Sequence, residues 1–196
     1  MKNMADKDMN NLVKFLFELG QGKKVKRSGW WLAGVKDPET IAEHMWRASI
    51  LGRIIAELEG ADQNKVITML LFHDIPELRT NDLHKVGARY IKTHEAELAA
   101  LKEQVQNLPP KIAKEMLNLW EEMHHKASKE AIIAKDCDYL ECALQAKEYK
   151  DLGYLDCQDW INNVRKVIKT KTAKKILDLI EKEPSNSWWQ GLKKIE

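Results

Sequence analysis

The stretch Leu70-Leu71-Phe72-His73-Asp74-Ile75-Pro76-Glu77 ends an apolar run with adjacent His and Asp, then a Pro and a Glu. Burying His and Asp on an apolar helix is costly unless something pairs them. A divalent metal is the usual partner, because neutral imidazole and carboxylate both ligate Zn, Mn, Co, Fe or Ni. Val66, Leu70 and His73 share one helical face at spacings of four and three, so His73 points inward. Asp62 is placed to cap this helix, which is expected to run to about Asp74. Pro76 cannot continue it and restricts Ile75. A short new turn at Pro76-Glu77 then sets Glu77 just past the pair. The turn Thr80-Asn81-Asp82 lets Asp82 point back to the same mouth.

Working outward, the preceding helix is expected to open at Asp37-Pro38-Glu39, with Asp37 as N-cap and Pro38 at the first helical position. Its apolar stripe is Ile41, Ala48, Leu51, Ile55 and Leu58, ending at Gly60. His44 fills the gap between Ile41 and Ala48 and so points inward. Taken alone, an inward His is more often a core residue bonded to a carbonyl than a ligand. A long helix over about 129–151 is apolar on two adjacent faces, which makes it central and buried. One stripe carries Asp138 and the other Asp136. Periodicity does not choose between them as the inward carboxylate. His44, His73, Asp74 and one of these Asp residues come from buried stripes and need a common partner, which a divalent ion supplies.

The remaining segments also read at helical period. A first helix over 8–20 puts Leu12, Phe15, Leu16 and Leu19 on one face and stops at Gly20. Residues 84–107 are expected to be mostly a solvated helix. A helix over about 110–124 follows Pro109-Pro110 and closes on His124-His125, a pair that points to different sides and argues against a joint metal role. Helices over 156–168 and 171–183 read as packing elements. The terminal segment with Trp188-Trp189 is expected to dock on the body or on a second subunit. The loop Gln21–Val35 holds Lys23, Lys24, Lys26, Arg27, Trp30 and Trp31. It is either a turn with two Trp folded onto the core or a pocket lid in which Arg27 meets a phosphate and a Trp meets a base or sugar.

The fold class is therefore all-α, a helical bundle, and 196 residues suit one domain over 1–196 with its core at about 10–182. Lys plus Arg is 32 against 30 Asp plus Glu, a net charge of +2 that gives no case for a nucleic-acid partner. Three Cys without a CxxC pair argue against a disulfide framework and a Cys-based zinc site. There is no run of about 18 apolar residues, so no membrane span is expected. The polar start, Met1 to Asn10, does not read as a secretory signal, and a cytoplasmic location follows.

Four blocks in this order carry a resemblance: Lys26-Arg27-Ser28-Gly29-Trp30, Pro38-Glu39-Thr40-Ile41-Ala42-Glu43-His44-Met45, Leu71-Phe72-His73-Asp74-Ile75-Pro76-Glu77, and Asp138-Tyr139-Leu140-Glu141. They resemble the HD superfamily of metal-dependent phosphohydrolases, in its 5′-deoxynucleotidase branch. The resemblance selects Asp138 over Asp136. It implies one divalent ion (Co, Mn, Fe, Ni, Zn or Mg) held by His44, His73, Asp74 and Asp138. It also implies Glu77 as the catalytic carboxylate, Asp82 as a sugar-hydroxyl contact, Trp30 as the aromatic that crowds the 2′ position, and Arg27 as the phosphate contact. Two residues, Ser28 and Gly29, stand between Arg27 and Trp30, where the bacterial pattern has none, so Lys23, Lys24 or Lys26 are candidates to share the phosphate. The substrate class implied is a deoxynucleoside monophosphate, and the assembly a homodimer, with the C-terminal helices suited to a two-fold interface.

Other readings remain open in the sequence. A two-metal phosphodiesterase needs extra His ligands between His73 and Asp138, and His84, His94, His124 and His125 are available by count. Nucleoside triphosphates are another substrate class for such a centre. An alarmone hydrolase would carry two acidic residues after the His-Asp pair, where only Glu77 stands. A non-catalytic metal scaffold would have no use for Glu77, Asp82 and Arg27 beside the ligands.

Overall fold

The structure, a computed structural model, describes residues 6–192, so the first residues of the polar start and the last of the terminal segment lie outside it. Among the described residues the helices are α1 (Asp6–Leu19), α2 (Ile41–Glu59), α3 (Gln63–Phe72), α4 (Glu77–Thr80), α5 (Thr93–Val105), α6 (Pro110–His125), α7 (Lys129–Asp151), α8 (Gln158–Val167) and α9 (Lys171–Ile180). There is no strand among them; Lys26 and Thr40 form a single antiparallel bridge. No described helix is long and apolar enough to cross a membrane. The cysteines are free thiols.

α7 is the axis of the molecule and packs against α2, α3, α6, α8 and α9. There are two apolar clusters, the first built on it. One gathers Ala48, Ile55, Leu70, Ile133, Leu140, Ile161 and Leu177. The other gathers Ile41, Ile75, Leu78, Leu101, Val105, Met116 and Trp120, with Leu12, Phe15 and Leu19 of α1 packed on it. His44 sits on α2 between Ile41 of one cluster and Ala48 of the other. His73 sits between Leu70 and Ile75 in the same way. The polar residues of interest therefore lie at the seam where the clusters meet. Gly52 allows α2 to approach α3 closely, since a Cβ there would collide with Leu70 and reach 3.0 Å from Val66 Cγ1.

Several sequence expectations are corrected. α2 is capped by Thr40, which forms a reciprocal box with Glu43; Asp37 instead pairs with Lys26 at 2.6 Å. Residues 84–92 are not helical beyond a 3-10 turn at Gly87–Arg89, and α5 starts only at Thr93. Leu16 and Leu58 face out: α1 packs Leu12, Phe15 and Leu19 without Leu16, and the stripe of α2 stops at Ile55. Trp188 and Trp189 are exposed on the body, so of the two docking surfaces expected for the terminal segment the second subunit is the one left.

Candidate metal centre

The centre is built from the ends of elements. α3 stops at Phe72, and His73 is its C-cap. A helix end leaves carbonyls unpaired, and here three side chains take carbonyls at and just beyond it. His73 Nδ1 donates to Leu70 O at 2.8 Å, Trp120 Nε1 to His73 O at 3.0 Å, and Gln104 Nε2 to Ile75 O at 3.0 Å. α5 and α6 thus pin the turn that carries His73, Asp74 and Glu77. On α2, His44 Nδ1 donates to the fully buried Glu141, which also accepts from Arg47 Nε at 2.8 Å. Both rings use Nδ1 as a donor to an acceptor-only group. That fixes the tautomer and turns Nε2 toward the centre.

The two Nε2 atoms meet two carboxylates. His44 Nε2 lies 3.2 Å from Asp138 Oδ1 and 3.7 Å from Asp74 Oδ2. His73 Nε2 lies 3.2 Å from Asp74 Oδ2 and 3.7 Å from Asp138 Oδ1. Both Nε2 atoms are buried without a hydrogen-bond partner. Two orphaned imidazole nitrogens facing two carboxylate oxygens are the donor set a divalent transition metal takes. These residues fit such an ion, and they leave positions for further ligands on an octahedral one.

In the metal-free protein the charges answer one another. Burial and the Arg27 charge work against protonation of His44, yet Glu141 and Asp138 raise it to about 9. Burial likewise opposes protonation of His73, while Asp74 and Asp138 raise it to about 10. Burial opposes ionisation of Asp74, but His73 and Arg27 hold it below the usual carboxylate range. Asp138 is also held well below that range, by Lys135 and the two imidazoles against burial. Both rings therefore carry protons at pH 7 and must shed them to ligate. Metal loading at neutral pH is expected to release about two protons per centre. Calorimetric titration in buffers of differing ionisation enthalpy measures this directly; no proton release would mean that the rings are already neutral. The sign makes metal affinity rise with pH until both rings are neutral, at about 10.

The other anticipated residues are distributed around this core. Arg27 reaches it despite the two intervening residues, with Nη1 3.3 Å from Asp74 Oδ2. Asp82 accepts from the backbone N–H of Ser28 and so latches the Arg27 loop to the segment after α4. Glu77 opens α4 beside Asp74; its Oε2 is buried and unpartnered. Burial, with Asp74 and Asp82 adding to it, raises its carboxyl well above the usual range. Trp30 is placed elsewhere than a sugar filter requires. Its indole is 1% exposed, stacked on Trp160 at 5.3 Å and edge-on to Tyr149 at 5.2 Å, with Nε1 donating to Glu39 at 3.0 Å. Of the loop's two Trp, Trp31 is the exposed one.

The paired Asp residues of α7 part ways. Asp136 accepts from Lys169 N at 3.0 Å and Thr170 N at 2.7 Å, capping the entry to α9. Asp138 alone faces the centre. Lys135, not assigned from sequence, donates to Asp138 Oδ2 at 2.8 Å. Its spacing of three before Asp138 on one helix is the available signal. Lys26, by contrast, is tied to Pro38 O at 2.9 Å and to Asp37, not to the centre.

Residues 19–180 match the HD domain family. The 5′-deoxynucleotidase HDDC2 of Homo sapiens is 34% identical over 145 residues, covering 74% of this chain and 71% of the relative. The chain belongs to the HD domain family. Among solved structures, this HD domain superposes on a conserved hypothetical protein of Pyrococcus furiosus with a TM-score of 0.75 at 24% identity, over 87% of this chain and 99% of the other. It superposes on the cyanophage S-2L HD phosphohydrolase DatZ, bound to dA and one catalytic Zn2+ ion, with a TM-score of 0.53 at 21% identity, over 85% and 96% of the chains. At these identities the two structures establish the fold, which is the HD fold read from the motifs.

Proposed function

We propose that this HD domain protein is a metal-dependent 5′-deoxynucleotidase, converting deoxynucleoside 5′-monophosphates to deoxynucleoside and phosphate. The observation that carries the reading is the pair of orphaned Nε2 atoms facing Asp74 and Asp138, in a chain similar to 5′-deoxynucleotidases over most of its length. His44, His73, Asp74 and Asp138 hold the ion, which is one of Co, Mn, Fe, Ni, Zn or Mg. Bound there, it supplies Lewis-acid polarisation of the phosphoryl group.

The chain's own groups do the rest. Water adds to phosphorus, the P–O5′ bond breaks, and the 5′ oxygen leaves carrying the proton that the water gave up. Glu77 orients the water and takes its proton, a role suited to a carboxyl raised by burial. Arg27 on the Asp74 side and Lys135 on the Asp138 side place two cations where the phosphate dianion arrives. Asp82 takes a sugar hydroxyl. Trp30 acts as a positioning residue through Glu39 and the Arg27 loop, not as a direct sugar contact.

The protein works as a cytoplasmic homodimer. α2 exposes Trp46, Ile50, Ile54 and Leu58 at spacings of four, a continuous apolar face. α8 and α9 instead spend Ile161 and Leu177 on the core, so the two-fold contact shifts to α2. Sedimentation of Ile54→Glu is expected to show monomer where the wild type sediments as dimer; a wild-type monomer would sink the assignment.

Phosphate release from each deoxynucleoside monophosphate and its ribose counterpart, with Co or Mn added, tests the activity. Release from the deoxy substrates is expected, with the ribose ones poor. No release from any monophosphate would overturn the reading and point to triphosphates or cyclic dinucleotides.

A further inference from the structure

His94, His124 and His125 take no part in the centre above. They gather with Glu121 where the first turn of α5 meets the last turn of α6. His125 Nε2 lies 3.2 Å from Glu121 Oε2, and His94 Nε2 lies 4.0 Å from the same oxygen. One donor atom from each of His94, Glu121 and His125 lies within 4.8 Å of the other two. The His94 ring stacks on His124 at 3.7 Å and lies nearly parallel to Trp120 at 5.1 Å. That stacking fixes its plane before any ligand arrives. Its Nδ1 is buried without a hydrogen-bond partner.

We propose that His94, Glu121 and His125 form a second transition-metal site, which takes Zn2+ and staples the start of α5 to the end of α6. Two imidazole nitrogens and one carboxylate oxygen are a zinc donor set, with a fourth position left for water. Glu121 and His125 are four apart, so they project from one face of α6. His94 supplies the ligand from the other helix. The site is open, since His125 is 63% exposed at its side chain. The ion there exchanges with solvent, unlike one at the buried centre. The staple also secures a helix start that lacks a side-chain cap, since Lys92 precedes α5 without capping it. Trp120, which stacks on His94, also donates to His73 O. Occupancy thus holds a wall of the catalytic centre.

The test is a zinc titration of the metal-free full chain against a chromophoric chelator, for wild type, His125→Ala, Glu121→Gln and Asp138→Ala. Wild type is expected to bind one equivalent more than either His125→Ala or Glu121→Gln. Asp138→Ala is expected to keep that equivalent while losing the other. Equal stoichiometry in wild type and both α6 variants would overturn the site. Imidazole NMR of the wild type gives a second readout: zinc should shift the His94 and His125 ring resonances. Unmoved resonances at saturating zinc would overturn the site even if a variant failed to fold.

Discussion

Asp138→Ala is expected to abolish phosphate release, by about 10³-fold or more, and to strip the catalytic ion. Its carboxylate is the one oxygen donor that α7 sends to the centre, 3.2 Å from His44 Nε2. The neighbouring variant two residues earlier separates chemistry from architecture. Asp136→Ala leaves the N–H groups of Lys169 and Thr170 without their acceptor. Each such loss costs roughly 1–3 kcal/mol, so unfolding in denaturant should shift by about 2–6 kcal/mol. Metal content, however, should stay at the wild-type level. Elemental analysis and a denaturant melt on both variants decide the matter. Metal retained in Asp138→Ala but lost in Asp136→Ala would reverse the assignment.

Glu77→Gln is expected to lower kcat by about 10²- to 10⁴-fold, the usual span for a positioned proton acceptor. KM and metal content should change little, because Glu77 is placed beside the ligand set and not in it. The amide cannot take a proton from water, yet it fills the same space at the head of α4. The same substitution should stabilise the metal-free protein at neutral pH. The Glu77 carboxyl is raised in the folded state by burial and by Asp74 and Asp82. Its contribution is therefore favourable below the ordinary carboxylate pKa and is lost as pH rises toward the folded value. A neutral amide removes that penalty. Full activity in Glu77→Gln would show that the proton goes elsewhere.

His44, His73 and Glu77 are legible in the sequence because short-range rules place them. Helical period puts His44 between Ile41 and Ala48, and Pro76 ends α3 where His73 and Asp74 are needed. Residues 84–92 mislead for the same reason in reverse: the pattern permits helix there, but nothing local marks the late start at Thr93. Trp30 and Trp31 differ by one position, and no local rule tells which enters the core.

By itself, the order of residues determined the all-helical class, the inward histidines and the break that sets Asp74 beside Glu77. These follow from periodicity and from the backbone limits of proline, which act within a few residues. Periodicity left Asp136 and Asp138 equivalent and only the motif resemblance favoured Asp138; tertiary structure supplies the physical reason, because α7 is buried on both faces and its neighbours differ: α9 backbone for one, the imidazoles of α2 and α3 for the other. It likewise decided that Arg27 reaches Asp74 across the loop, that Glu141 orients His44, and that His94 meets His125. Those contacts join residues far apart in the chain, and their geometry exists only once the helices have packed around α7.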